Sequence, residues 1–249
     1  MRILLLGGTG EARRLATRLA HRPGLSVILS FAGRTDIPAD QPVPFRIGGF
    51  GGVDGLRAYL SSERIDAVVD ATHPFAAAMS ANAFAACRVE RVPLVRLIRP
   101  AWTPEPGDRW LPVAGFSEVV QALGPSSRRV FLTIGLGGLE TFAGAPQHAY
   151  LIRSISEPDG PAPPDAVFLR DRPPYDVHGE TELMRKARID ILVTKNSGGA
   201  ATVAKLAAAR ALGLPVVMIE RPRLPDVPEF ATEDALLNWI DARQAERGV

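Results

Sequence analysis

Cysteine occurs once in the 249 residues, at Cys87, which excludes an intrachain disulfide and any cysteine-based metal cluster. A lone thiol suits a reducing cytosol, and its expected role is that of a small buried hydrophobe. Long apolar runs are also missing: none approaches the roughly 20 residues of a membrane-crossing helix. The N-terminus passes from a short apolar strand straight into glycines, without the longer apolar segment of a secretory signal. A soluble, cytoplasmic protein is expected. Charge of one sign is scarce too, and a net charge of +2 is too slight to imply a nucleic-acid partner, even with a pI near 9.0. No heptad pattern or broad apolar stripe demands a dimer, so the expectation is a monomer.

What the sequence does contain is an alternation of short β-branched or leucine-rich runs with alanine-rich stretches, the pattern of parallel sheets flanked by helices. Strands are expected at Ile3–Leu6, Ser26–Ser30, Pro44–Ile47, Ala67–Asp70 and Leu94–Leu97, with helices over Glu11–Ala20, Val53–Glu63 and Phe75–Val89. The stretch RPAWTPEPGDRW, with three prolines in twelve residues, reads as a connector. A second series follows, with strands at Val130–Thr133, Ala149–Arg153, Val167–Arg170, Ile191–Thr194 and Val216–Ile219. Its helices fall near Ser117–Leu123, Leu139–Phe142, Glu180–Ala187, Ala200–Leu212 and Glu233–Gln244. The predicted architecture is α/β: two Rossmann-like parallel-sheet domains, residues 1–98 and 99–249, with the active site in the cleft between them.

The opening MRILLLGGTGEARRLA places Gly7-Gly8-Thr9-Gly10 between a strand and a helix, the context of a phosphate-binding turn. Counted from Gly8, the dinucleotide fingerprint has Arg13 where its last glycine belongs, so spacing alone leaves a nucleotide, another anion and a plain bend open. Dinucleotide folds that hold a ribose diol carry an acidic residue after the second strand. Here VILSFAGRTD offers Ser30, Gly33, Arg34 and Thr35, a set that fits a 2′-phosphate and favours NADP over NAD.

Three further stretches offer polar groups at strand ends. RIGGFGG surrounds Phe50 with four glycines, as a backbone lying close to a flat ligand requires, or simply a tight loop. VVDATHPFA puts Asp70, Thr72 and His73 at the carboxyl edge of a strand, where His73 is an acid, a polar clamp, or a structural residue near the cap of a helix started by Pro74. VTKNSGG offers Lys195, Asn196, Ser197 and the Gly198-Gly199 amides to a carboxylate or phosphate, and LTIG adds Thr133 and Gly135. Arginines at strand ends (Arg96, Arg99, Arg153, Arg170, Arg172, Arg221, Arg223) suit an anionic small molecule, or are ordinary surface residues. Nothing forms a metal-ligand set.

In order and spacing, LLLGGTGEARRLA, SFAGRT, RIGGFGG, DATHPFA, LTIG and VTKNSGG resemble the precorrin-6A reductase family of cobalamin biosynthesis, its cobalt-substrate members included, over most of the chain. The resemblance implies an NADPH-dependent oxidoreductase that reduces one double bond of the precorrin-6A macrocycle to give precorrin-6B. It implies that Gly8, Thr9 and Gly10 meet the dinucleotide phosphates and that Ser30 and Arg34 meet the adenosine phosphate. Thr72 and His73 would lie on the nicotinamide side, while Lys195, Asn196, Ser197, Gly198 and Thr133 would face the tetrapyrrole. His73 and Lys195 are the candidate proton donors, solvent being a third. The competing reading is a non-redox nucleotide or nucleotide-sugar binding protein with two Rossmann-like halves. A short-chain dehydrogenase is excluded, because no lysine stands at Tyr-x-x-x-Lys spacing from Tyr59, Tyr150 or Tyr175.

Overall fold

The computed structural model describes residues 1–32, 40–156, 160–246 and 248. The chain divides into two compact units, residues 1–100 with 222–249 and residues 101–221. The first begins β1 (Arg2–Leu6), α1 (Gly10–Leu19), β2 (Ser26–Phe31), β3 (Phe45–Ile47), α2 (Gly52–Ser62), β4 (Ala67–Asp70), α3 (Ala77–Glu90) and β5 (Leu94–Leu97). In β1 the alternation of a pleated strand sends Ile3 and Leu5 to one core and Leu4 and Leu6 to the other, so the strand is buried on both faces. The alanine-rich α3 packs closely because Ala83, Ala86 and Cys87 carry little bulk. Burial pushes the Cys87 thiol up to about 12, with the Asp70 charge adding to the effect. A thiol reagent at pH 8 is therefore expected to leave the native protein unlabelled and to modify one thiol after denaturation; labelling of the native protein would contradict this packing.

The second unit contains β6 (Arg109–Val113), α4 (Phe116–Leu123), β7 (Arg129–Thr133), β8 (Ala149–Ser154), β9 (Ala166–Arg170), α5 (Val177–Lys186), β10 (Ile191–Lys195), α6 (Ala204–Ala211) and β11 (Pro215–Ile219). Returning to the first unit, the chain ends with β12 (Glu229–Phe230) and α7 (Glu233–Glu246). Among the described residues each unit holds a six-stranded parallel sheet, ordered β3-β2-β1-β4-β5-β12 and β9-β8-β7-β10-β11-β6. The first follows the Rossmann order 3-2-1-4-5-6; in the second, β7 to β11 repeat the arrangement 3-2-1-4-5 and the sixth, edge place is taken by β6, the unit's first strand, so the switch points lie between β1 and β4 and between β7 and β10.

Two expectations need correction. Residues 222–249, read from sequence as part of the second half, belong to the first unit. There the Arg96 N–H donates to the Pro228 carbonyl (2.9 Å), and Leu236, Leu237 and Ile240 join the core of Leu15, Leu19, Val95 and Leu97. The proline-rich connector also ends in a strand: among the described residues β6 pairs only with β11, and an edge position tolerates Pro112. A smaller difference lies at Pro74. His73–Ala76 closes as a turn through Ala76 N–H to the His73 carbonyl (2.7 Å), which delays α3 to Ala77.

Candidate active site

The switch point of the first sheet is built by the opening turn. A Cβ on Gly7 would lie 2.6 Å from Leu29 Cδ1 and 3.5 Å from the Cβ of Ala12, so α1 approaches the sheet through Gly7 and Ala12. Counted from Gly7, the fingerprint's three places fall on Gly7, Thr9 and Ala12. The close helix–strand contact asked of a last glycine is thus supplied by alanine, and Arg13 is exposed rather than intruding. Gly8 has φ of +107°, which an L side chain rarely adopts. Thr9 is the N-cap of α1: its Oγ1 accepts from Ala12 N–H (3.1 Å) and donates to the Ala71 carbonyl after β4 (2.8 Å). One hydroxyl thereby ties together the two turns that flank the switch point. Its only proton is committed, so an anion here would be met by the amides opening α1 and not by the Thr9 hydroxyl.

Thr9, Glu11, Thr72, Pro74, Leu97, Ile98 and Arg99 line one cleft at this edge. Glu11 bonds Arg99 (2.9 Å) and lies 3.6 Å from Arg14. Burial alone would raise its pKa, but its own backbone N–H, Arg99 and Arg14 outweigh that and hold the carboxyl below its usual value. Arg14 also bonds Glu233 (2.8 Å).

Beneath Thr72 the buried Asp70 accepts from Thr72 N–H (3.1 Å), Thr72 Oγ1 (2.6 Å), Ser80 Oγ (2.6 Å) and Arg96 Nε (3.5 Å). Thr72, like Thr9, has its proton engaged and presents only lone pairs. The His73 ring takes the Phe75 N–H on Nδ1 (3.2 Å), which leaves Nε2 as the nitrogen able to carry a proton.

At the end of β2, Ser30 lies beside Arg46 of β3. Arg46 Nη1 donates to Ser30 Oγ (2.8 Å) and the Gly48 carbonyl (2.9 Å), and Nη2 to the Gly49 carbonyl (3.0 Å). The Arg46 guanidinium sits 3.9 Å above the Phe50 ring, so the flat partner of the glycine-flanked aromatic is an arginine of this chain. Arg34 lies outside the described residues. Sequence reading missed Arg46; its place at a strand end, just before the glycine run, was the available signal, and its register with Ser30 emerged only in the fold.

In the second unit Lys195 ends β10, and its Nζ donates to the Ile134 carbonyl after β7 (2.6 Å), spanning that sheet's switch point. Thr133 Oγ1 donates to the Val193 carbonyl (3.2 Å). Ser197 and Gly198 are buried in the turn that follows. The side chain of Asn196 is engaged elsewhere than expected: Oδ1 accepts from Trp102 N–H (2.9 Å) and Nδ2 donates to the Trp102 carbonyl (3.2 Å), so it fastens the connector. Most strand-end arginines also have internal partners: Arg96 with Asp70 and Glu229, Arg99 with Glu11, Arg153 with Glu180, and Arg221 with the carbonyls of Asn196 and Ser197. Among the described residues no His, Cys, Asp and Glu group could hold a metal ion, and no helix is long and apolar enough to cross a membrane.

Two six-stranded parallel sheets, with a capped glycine turn at one switch point and a lysine across the other, define a two-unit α/β protein. Residues 2–241 match the family described as precorrin-6x reductase CbiJ/CobK, and the chain belongs to that family. It is a reductase of cobalamin biosynthesis. The chain is similar to the precorrin-6A reductase of Rhodobacter capsulatus, 50% identical over 100% of this chain and 99% of that one. It is also similar to the precorrin-6A reductase of Rhodococcus erythropolis, 49% identical over 96% of this chain and 97% of its relative. The solved structure of CobK precorrin-6A reductase superposes with a TM-score of 0.90 at 50% identity, covering 97% of this chain and 96% of that chain.

Proposed function

We propose that the protein reduces one ring double bond of precorrin-6A to give precorrin-6B, with NADPH as the reductant. The observation that carries this reading is the turn from Gly7 to Gly10: a tight, capped strand-to-helix junction at a switch point, with the amides of α1 opening beside it. Family membership supports the reduction. The substrate follows the relatives at 49 and 50% identity, which are precorrin-6A reductases, and their name favours the metal-free macrocycle.

The residues present fit a phosphorylated dinucleotide. The amides after Thr9 suit a pyrophosphate, and the end of β2 carries Ser30 and, by sequence, Arg34, where an acidic residue would hold a free ribose hydroxyl. When bound, NADPH supplies the hydride. Thr72, held as an acceptor by Asp70, takes an N–H of the nicotinamide carboxamide. The one proton due at the neighbouring carbon has three candidate sources: His73 through Nε2, Lys195, or solvent. Ser197 and the Gly198 amide receive substrate carboxylates, and Asn196 keeps one Nδ2 hydrogen beyond its bond to the Trp102 carbonyl for the same task.

The test is a titration with NADPH and NADH, followed by addition of precorrin-6A while the reduced-nicotinamide absorbance is recorded. Tighter binding of NADPH, weakened by Arg34→Ala, and loss of absorbance with substrate are expected. Equal affinity for both dinucleotides would remove the 2′-phosphate argument. Binding without any absorbance loss would favour the non-redox nucleotide-binding reading.

A further inference from the structure

We propose that Arg46, together with the Ser30 hydroxyl it bonds, selects a 2′-phosphorylated adenosine. The inference rests on the NADPH reading above and adds a residue to it. Three of the five N–H groups of Arg46 are spent on Ser30, Gly48 and Gly49, which fixes the plane of the guanidinium, and the Phe50 and Tyr59 rings, 3.9 and 5.2 Å from its carbon, hold one face. The remaining two, on Nε and Nη2, have no partner among the described residues. Because Ser30 accepts from Arg46, its own proton stays available to donate.

Charge separates Arg46 from three other arginines at strand ends. Arg96, Arg99 and Arg153 each face a carboxylate, whereas Arg46 has none among the described residues. An uncompensated, half-buried guanidinium, already oriented, meets a dianionic phosphate monoester with charge-assisted bonds and without ordering its own side chain. A free 2′-hydroxyl needs an acceptor for its proton, and this pair offers donors.

The experiment compares calorimetric titrations of adenosine 2′,5′-bisphosphate and 5′-AMP into the wild-type protein, Arg46→Met and Ser30→Ala, with thermal melts alongside. Arg46→Met is expected to weaken the bisphosphate by about tenfold or more and to leave 5′-AMP within about twofold. Ser30→Ala is expected to lower the same ratio by about threefold, and it carries the test if Arg46→Met does not fold. An unchanged ratio in a folded variant, or equal weakening of both ligands, overturns the assignment. The two failures are distinguishable. If the wild-type protein itself does not prefer the bisphosphate, the NADPH reading falls; if it does and Arg46→Met keeps that preference, only the role of Arg46 falls.

Discussion

Gly55→Ala is expected to destabilise the protein by more than about 3 kcal/mol, beyond the usual range for overpacking. Alanine is the better helix former by roughly 1 kcal/mol, and Gly55 lies inside α2, so propensity alone would make the change stabilising. Sterics oppose it with far greater force. A Cβ at this position would stand 1.6 Å from the Phe50 carbonyl oxygen and 2.7 Å from its carbon, both backbone atoms with no rotamer to escape into. Either α2 or the loop before it must move. Phe50 supports the face of Arg46 and packs edge-on against Tyr59 at 5.1 Å, so displacement should also loosen the Arg46–Ser30 pair. Gly49→Ala is the control, because a Cβ there meets nothing within 4 Å and its φ is not positive; it should shift stability by no more than about 0.5 kcal/mol. Urea denaturation of both variants checks the pair. A Gly55→Ala protein as stable as wild type would show that α2 does not approach Phe50 as described.

The same glycine-rich segment marks where the sequence could be read and where it could not. Periodicity and composition located ten of the twelve described strands, because a strand buried on both faces is a run of apolar residues bounded by polar turns, as in Ile3–Leu6. They could not find β12, two residues long and held mainly by backbone bonds to β5, nor β6, whose Pro112 is compatible only with an edge. The chemistry of the turns was legible as residue types at strand ends. Donor and acceptor roles were not, since these depend on partners distant in sequence: Thr9 on Ala71, Arg46 on Ser30, Asn196 on Trp102. The fingerprint was miscounted by one for a related reason. Glycine spacing does not say which residue faces the sheet, and Ala12, not Arg13, does.

Arg96→Met is expected to cost about 3 kcal/mol of stability, at the lower end of the range for breaking a buried ion pair. Arg96 is 3% exposed and Asp70 1%, so removing the guanidinium leaves the carboxylate without its cation in a medium that solvates it poorly. Three hydrogen bonds remain to Asp70, from Thr72 N–H, Thr72 Oγ1 and Ser80 Oγ, and they keep the loss from reaching the upper end. Adding Asp70→Asn removes the stranded charge, so the double variant should recover about 1–2 kcal/mol relative to Arg96→Met alone. Strictly additive losses would rule out the orphaned-charge account. Arg96 also bonds Glu229 (2.5 Å) and the Pro225 carbonyl (3.3 Å), and through them it fastens the segment that brings β12 and α7 onto the first sheet. Trypsin should therefore cut Arg96→Met faster at Arg223, which precedes Leu224, while Arg221 precedes Pro222 and resists cleavage. Thr72 depends on the same carboxylate for its orientation, so the Arg96 variant tests whether the buried network and the polarity of the cleft above it are one structure.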